Sequence, residues 1–227
     1  MKYKDIYEAK FISRPNRFIA NVEINGKVET VHVKNTGRCK ELLIPGATVY
    51  LDKPGTAGRK TEYDLVAVYK KKFGLINIDS QAPNKVVKEW LEKKGLDYVK
   101  AEYSYGDSRI DFYIENADKK ILMEVKGCTL EYDGIGYFPD APTTRGIKHL
   151  HELTKARALG YEAVIAFVIQ MEGIREVRAE KEIHPDFYAA LEEAKAAGVK
   201  VLFLTCKVEK DSLSIAEENG DKIESLT

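Results

Sequence analysis

The sequence of 227 residues predicts a two-domain chain of the α/β (α+β) class, with a small β-barrel over residues 1–80 and a mixed sheet flanked by helices over residues 81–227. Three observations lead there. The first eighty residues hold short apolar runs divided by turn signals, with no convincing helical periodicity. Helical spacing first appears after Gln81, and from there the order reads helix, three strands, helix, strand. Two late runs, 161–169 and 199–205, are almost continuously apolar, as strands covered on both faces must be.

In the first part, Phe18, Ala20, Val22 and Ile24 alternate, Asn25-Gly26 makes a hairpin turn, and Val28, Val31 and Val33 follow. Pro45-Gly46 turns the chain into Thr48-Val49-Tyr50-Leu51. The run Leu65 to Tyr69 meets Leu75 to Ile78 through the turn from Lys70 to Gly74. In the second part, Pro83 opens a helix whose apolar side is Val86, Val87, Trp90 and Leu91. Strands are expected at Ala101 to Tyr105, Arg109 to Ile114 and Ile121 to Gly127, and a helix from Thr144 to Leu159 with Ile147, Leu150, Leu153 and Ala156 inward. A further helix over Asp186 to Ala197, closed by Gly198, precedes the last buried strand. The tail after Lys207 reads as an edge hairpin or a loose end.

Chemistry concentrates on Arg109-Ile110-Asp111-Phe112 and Met123-Glu124-Val125-Lys126, two strands that carry acids among apolar residues. The polar segment from Glu115 to Lys120 joins them as a hairpin, and the two-residue period of a strand sets Glu124 and Lys126 on one face. A carboxylate in apolar surroundings needs a cation, a donor or a metal beside it. If the register brings Asp111 alongside, two carboxylates suit magnesium or manganese, and the lysine can act on an attacking water. The other reading of the same residues is a surface hairpin with a weak Glu124–Lys126 ion pair.

The order Asp, then Glu-x-Lys, resembles the PD-(D/E)XK nuclease superfamily. A wider set of blocks resembles the sugar fermentation stimulation protein A (SfsA) family: Arg17-Phe18-Ile19-Ala20, His32-Val33-Lys34-Asn35-Thr36-Gly37, Ile44-Pro45-Gly46, Pro83-Asn84, Ser108 to Phe112, Glu124-Val125-Lys126, Tyr137 to Ala141 and Arg145 to Leu150. That resemblance implies an N-terminal OB-like barrel, DNA binding, a nuclease-like second domain and a link to maltose metabolism. It implies Asp111, Glu124 and Lys126 as catalytic residues and Asp111 and Glu124 as ligands of Mg or Mn. Glu89 is a candidate third carboxylate, with a solvent-facing ion pair as the alternative.

Arg38, Arg59, Lys60, Arg109, Arg145, Lys148 and His149 are the candidate DNA contacts. Arg59 and Lys60 lie in a glycine-rich loop that either follows a phosphate backbone or is simply solvated, and Arg145, His149 and Glu152 share one side of a helix. With 36 basic and 36 acidic residues, no bulk positive charge announces a nucleic-acid partner, so any basic surface must be local. Three cysteines without CxxC spacing argue against a disulfide framework or zinc ribbon. The start lacks the apolar run of a secretory signal and no window suits a membrane span, which points to the cytoplasm. Two function classes follow, a metal-dependent DNA nuclease and a non-catalytic DNA-binding regulator of sugar metabolism; oligomeric state is not legible.

Overall fold

The computed structural model describes residues 1–221. Its first part is built from β1 (Ile6–Asn16), β2 (Ile19–Ile24), β3 (Lys27–Val33), β4 (Thr48–Asp52), β5 (Asp64–Lys70) and β6 (Gly74–Asn77). The strand order β3-β2-β1-β4-β5-β6 is closed on itself by a parallel β3–β5 pairing at His32↔Asp64 and Val33↔Leu65. Closure removes the exposed edges that an open sheet of this size would present.

The alternation predicts a first strand from Phe18, but β1 precedes it. Ala9 and Phe11 are its buried members, while Glu8 and Lys10 face out. Register shifts after Phe11 and Ser13 break the period that would have revealed the strand. Phe18 itself is 53% exposed in the β1–β2 turn, whereas Ala20, Val22 and Ile24 point into the barrel as expected.

The second part contains α1 (Ala82–Glu92), β7 (Tyr98–Tyr105), β8 (Ser108–Asn116), β9 (Lys119–Cys128), β10 (Leu130–Tyr132), β11 (Ile135–Phe138), α2 (Thr144–Ala158), β12 (Glu162–Ile169), β13 (Val177–Ala179), α3 (Pro185–Ala196), β14 (Lys200–Val208) and β15 (Leu213–Gly220). Its main sheet runs β15-β14-β12-β9-β8-β7. The centre β9-β12-β14 is parallel and the flanks are antiparallel. β12 is buried along nearly its whole length, which explains its unbroken apolar sequence. β15 pairs with β14 as an antiparallel edge strand, so the tail forms the edge hairpin; residues 222–227 lie outside the described residues. The small sheet β10-β11-β13 has strands of three or four residues, too short to show a period in sequence.

Helices cover both faces of the main sheet. Val86, Val87 and Leu91 of α1 pack with Phe112, Ile114, Met123 and Val125 on one side. On the other, Leu150 and Leu153 of α2 and Phe187 of α3 pack with Leu122, Ile165 and Phe167, in a core that continues into the barrel interior. Thr143 caps α2 by accepting from the Gly146 N–H at 3.0 Å, and Lys155 and Arg157 occupy the last turn, where they complement the helix dipole.

Buried polar contacts also join the two parts. Gln170 Nε2 donates to Asn77 Oδ1 at 2.9 Å and to the Asp79 carbonyl at 3.1 Å. Asp79, fully buried, is paired with Lys34 at 2.9 Å and accepts from the Gln81 N–H at 2.9 Å, which fixes the entry to α1. Among the described residues no helix is long and apolar enough to cross a membrane. All three cysteines are free and buried, and burial pushes each thiol up to about 12, out of the reactive range.

Candidate functional site

The β8–β9 hairpin pairs Phe112 with Met123 and closes at Asn116↔Lys119. Continuing that register by one residue sets Asp111 across from Glu124. The ladder stops there because the Val125 N–H donates instead to Asp111 Oδ2, at 2.8 Å. Asp111 Oδ1 accepts from Asn84 Nδ2 of α1 at 2.7 Å. Burial and then the charge of Glu124 push the Asp111 carboxyl above its ordinary range, against the pull of these two donors and of Lys126.

Glu124 is 2% exposed. Its Oε1 accepts from Lys126 Nζ at 2.6 Å and makes a short contact with His149 Nδ1. Burial alone would raise the Glu124 carboxyl, but the His149 hydrogen bond and the Lys126 ammonium hold it below the usual range. Arg145 Nε donates to His149 Nε2 at 3.3 Å. With Nε2 accepting, the imidazole proton sits on Nδ1 and points at Glu124. Glu124 Oε2 is buried and, among the described residues, has no protein partner.

Asp111, Glu124, Lys126, His149 and Arg145 therefore converge, and α1 contributes Asn84, a residue to which sequence reading gave no role. An amide on a helix start gives no one-dimensional signal of what it will touch. His149, a candidate DNA contact, is buried, and its Nδ1 orients Glu124.

Glu89 does not join the site. It is about half exposed and pairs with the Met1 ammonium at 2.6 Å, which also donates to the Leu213 carbonyl of β15 at 2.7 Å, so it lies on the side of α1 nearer β15. Among the described residues no group of three or more His, Cys, Asp or Glu donors is gathered for a metal ion. The protein donors here reduce to two carboxylates.

The other candidates are dispersed. Arg59 is held by the buried Asp64 and the Thr61 carbonyl, so its charge is already matched. Lys60 is exposed in the same loop. Arg109 faces Glu102 at 3.4 Å on the surface, and Lys148 reaches the Asp107 carbonyl at 3.2 Å. Arg38 is exposed on the barrel beside Arg14, whose guanidinium donates to the Arg38 carbonyl at 2.8 Å.

Comparison with known proteins places this arrangement. Residues 12–78 match the family model of the SfsA N-terminal OB domain, and residues 81–212 match that of the sugar fermentation stimulation protein RE domain. The chain belongs to the SfsA family. A sugar fermentation stimulation protein homolog of Desulfitobacterium hafniense (strain DSM 10664 / DCB-2) is 53% identical over 224 residues, covering 97% of this chain and 96% of the relative. One from Clostridium beijerinckii is 50% identical over 221 residues, covering 96% and 97%. The solved structure of Pyrococcus furiosus SfsA in complex with Ca2+ superposes with a TM-score of 0.86 at 29% identity, covering 98% of both chains. The closed barrel described above is the OB domain of this family.

Proposed function

We propose that this SfsA-family chain is a divalent-metal-dependent enzyme that hydrolyses phosphodiester bonds in DNA through a nuclease-like site in its second part. The observation that carries the reading is Glu124 Oε2, buried without a partner in a cluster that already holds Asp111, Lys126 and His149. An unmatched buried carboxylate oxygen is costly unless a cation takes it. Asp111 and Glu124 offer hard oxygen donors, too few to enclose a metal, which suits magnesium or manganese retaining several waters. The calcium complex of the Pyrococcus furiosus relative supports this, since calcium takes the same donor type.

Such a cation, when bound, supplies Lewis-acid stabilisation of phosphoryl charge and a more acidic water. The chain's own residues supply the rest. Asn84 and the Val125 N–H orient Asp111 and favour its ionised form against burial. His149, fixed by Arg145, locks the Glu124 rotamer. Lys126 places an ammonium where an attacking water and developing negative charge both benefit.

Cleavage of single-stranded, duplex, flapped and branched DNA with magnesium or manganese tests the proposal. Lys126→Ala is expected to abolish cleavage while metal and DNA binding persist. DNA binding without cleavage of any form in the wild-type protein would leave the non-catalytic regulator as the better reading.

A further inference from the structure

Ion pairing is widespread over this neutral chain, and against that background one groove on the barrel differs. It has a volume of about 350 Å3 and is lined by Arg14, Asn16, Arg17, Thr36, Gly37, Arg38, Lys40 and Leu43. Among the described residues none of its four cations has a carboxylate within ion-pairing distance. Arg14 is occupied structurally: its guanidinium donates to the carbonyls of Gly37 and Arg38 at 2.8 Å, of Arg17 at 2.8 Å and of Asn35 at 2.6 Å. It thereby ties the β1–β2 turn to the segment after β3 and sets Arg17, Arg38 and Lys40 around one trough. Those three are exposed.

Two acids are in electrostatic reach, Asp140, which lies against Gly37, and Glu41, which with Asp140 acts on the Cys39 thiol. Burial raises the Asp140 carboxyl, while the backbone N–H of Arg38 and the charges of Arg14 and Arg38 pull it down. Two carboxyls, both raised by burial, do not neutralise four cations. Like charges gathered without counter-charge repel one another and cost the folded state stability, a cost removed when an anion fills the trough.

We infer that this groove, rather than the β4–β5 loop, is where the barrel grips a single strand of nucleic acid by its phosphates. This rests on the proposed action on DNA and names a contact surface for it. Three further observations favour a strand over a small anion. Phe18, next to Arg17, is 53% exposed and offers a base a ring to stack on. Thr36 and Gly37 line both this groove and a second cavity of about 200 Å3, whose wall includes Gly127, the residue after Lys126. The two hollows thus run from the barrel to β9, the strand that carries Glu124 and Lys126. By contrast, two of the three cations of the β4–β5 loop are already matched, Lys53 by Glu62 and Arg59 by Asp64.

The test is fluorescence anisotropy of the full chain with a labelled oligothymidine of about 12 nucleotides, within the site size of one such barrel, and with a labelled hairpin duplex. Both are titrated in EDTA so that no cleavage intervenes. Arg17→Glu/Arg38→Glu is expected to weaken oligothymidine binding by about tenfold or more and to flatten the salt dependence of log K by about 1.4, the contribution of two phosphate contacts on a single strand. Phe18→Ala should lose roughly 5- to 150-fold without changing the salt slope. Lys60→Glu should leave both quantities unchanged. Arg14 is left intact because it holds the loops, and melting curves with the milder Arg38→Ala guard against misfolding.

Oligothymidine binding by the groove variant within about twofold of wild type, a strong preference of wild type for the duplex, or no binding to either probe would each overturn the inference. A manganese titration of the wild-type protein judges the metal reading separately. Its failure with oligothymidine binding intact would sink the proposed chemistry and leave the groove standing.

Discussion

Asn84→Ala tests whether the support behind Asp111 matters as much as the carboxylate itself. In the folded protein Asp111 is caught between burial and Glu124, which favour its protonated form, and the donors Asn84 and Val125 N–H together with Lys126, which favour the ionised one. Removing Asn84 Nδ2, at 2.7 Å, deletes one hydrogen bond to a charged group and leaves Oδ1 without its donor. Such bonds contribute roughly 1.5–3 kcal/mol. Supporting groups of this kind change metal affinity by about 10- to 100-fold when mutated. Manganese Kd measured by isothermal titration should therefore rise by about that factor.

The sign of the pH dependence follows from the same forces. Loss of Asn84 moves the Asp111 carboxyl still higher, so metal must displace a proton over a wider range, and the deficit should shrink as pH rises. DNA binding in EDTA should stay unchanged. A Kd within about twofold of wild type would refute this account of how Asp111 is held.

Four further outcomes are expected. Asp111→Asn and Glu124→Gln should each remove the manganese-induced rise in Tm, which for a single site at a hundredfold excess over Kd corresponds to about 2.7 kcal/mol. Because the Glu124 carboxyl is held low, the stability it contributes is present above its unfolded value near 4.3 and is lost as pH falls through the folded value; melts of wild type and Glu124→Gln should therefore converge in acid. Glu89→Ala should leave manganese affinity unchanged in the same titration, since its partner is the Met1 ammonium. Gly127→Ala places a methyl 2.5 Å from Gln170 Oε1 and 2.9 Å from Pro83 Cγ, so overpacking should cost about 1–3 kcal/mol and lower Tm by roughly 2–4 °C for each of these, read by calorimetry.

What the sequence disclosed and what it hid divide along physical lines. Glu124 and Lys126 were legible because a strand repeats every two residues, and Asp111 because a short polar turn fixes the register of a hairpin. The buried strand β12 and helices α1, α2 and α3 were legible from apolar runs and periodicity. β1 was hidden because its bulges break the alternation, and Phe18 was misplaced inside the barrel because one apolar residue at a turn looks like the next step of a repeat. Asn84, the orientation of His149 and the fate of Glu89 depend on how helices lie on the sheet, which local pattern does not encode. Arg14, Arg17, Arg38 and Lys40 are spread over two segments that meet only when the barrel closes. The sequence offered Arg59 and Lys60 instead, which are adjacent along the chain.

The junction built by Gln170, Asn77, Asp79 and Lys34 has a consequence for how substrate must travel. A linker between two lobes would let the barrel swing and deliver its cargo. Here buried amides and an ion pair bolt the lobes together, and the apolar interior runs through both without a seam. The distance from groove to carboxylates is then a fixed ruler set by the protein. On the proposed function it is the polymer that has to bend to fit it, so the stiffness of the DNA, more than any motion of the protein, would select which structures reach Asp111 and Glu124.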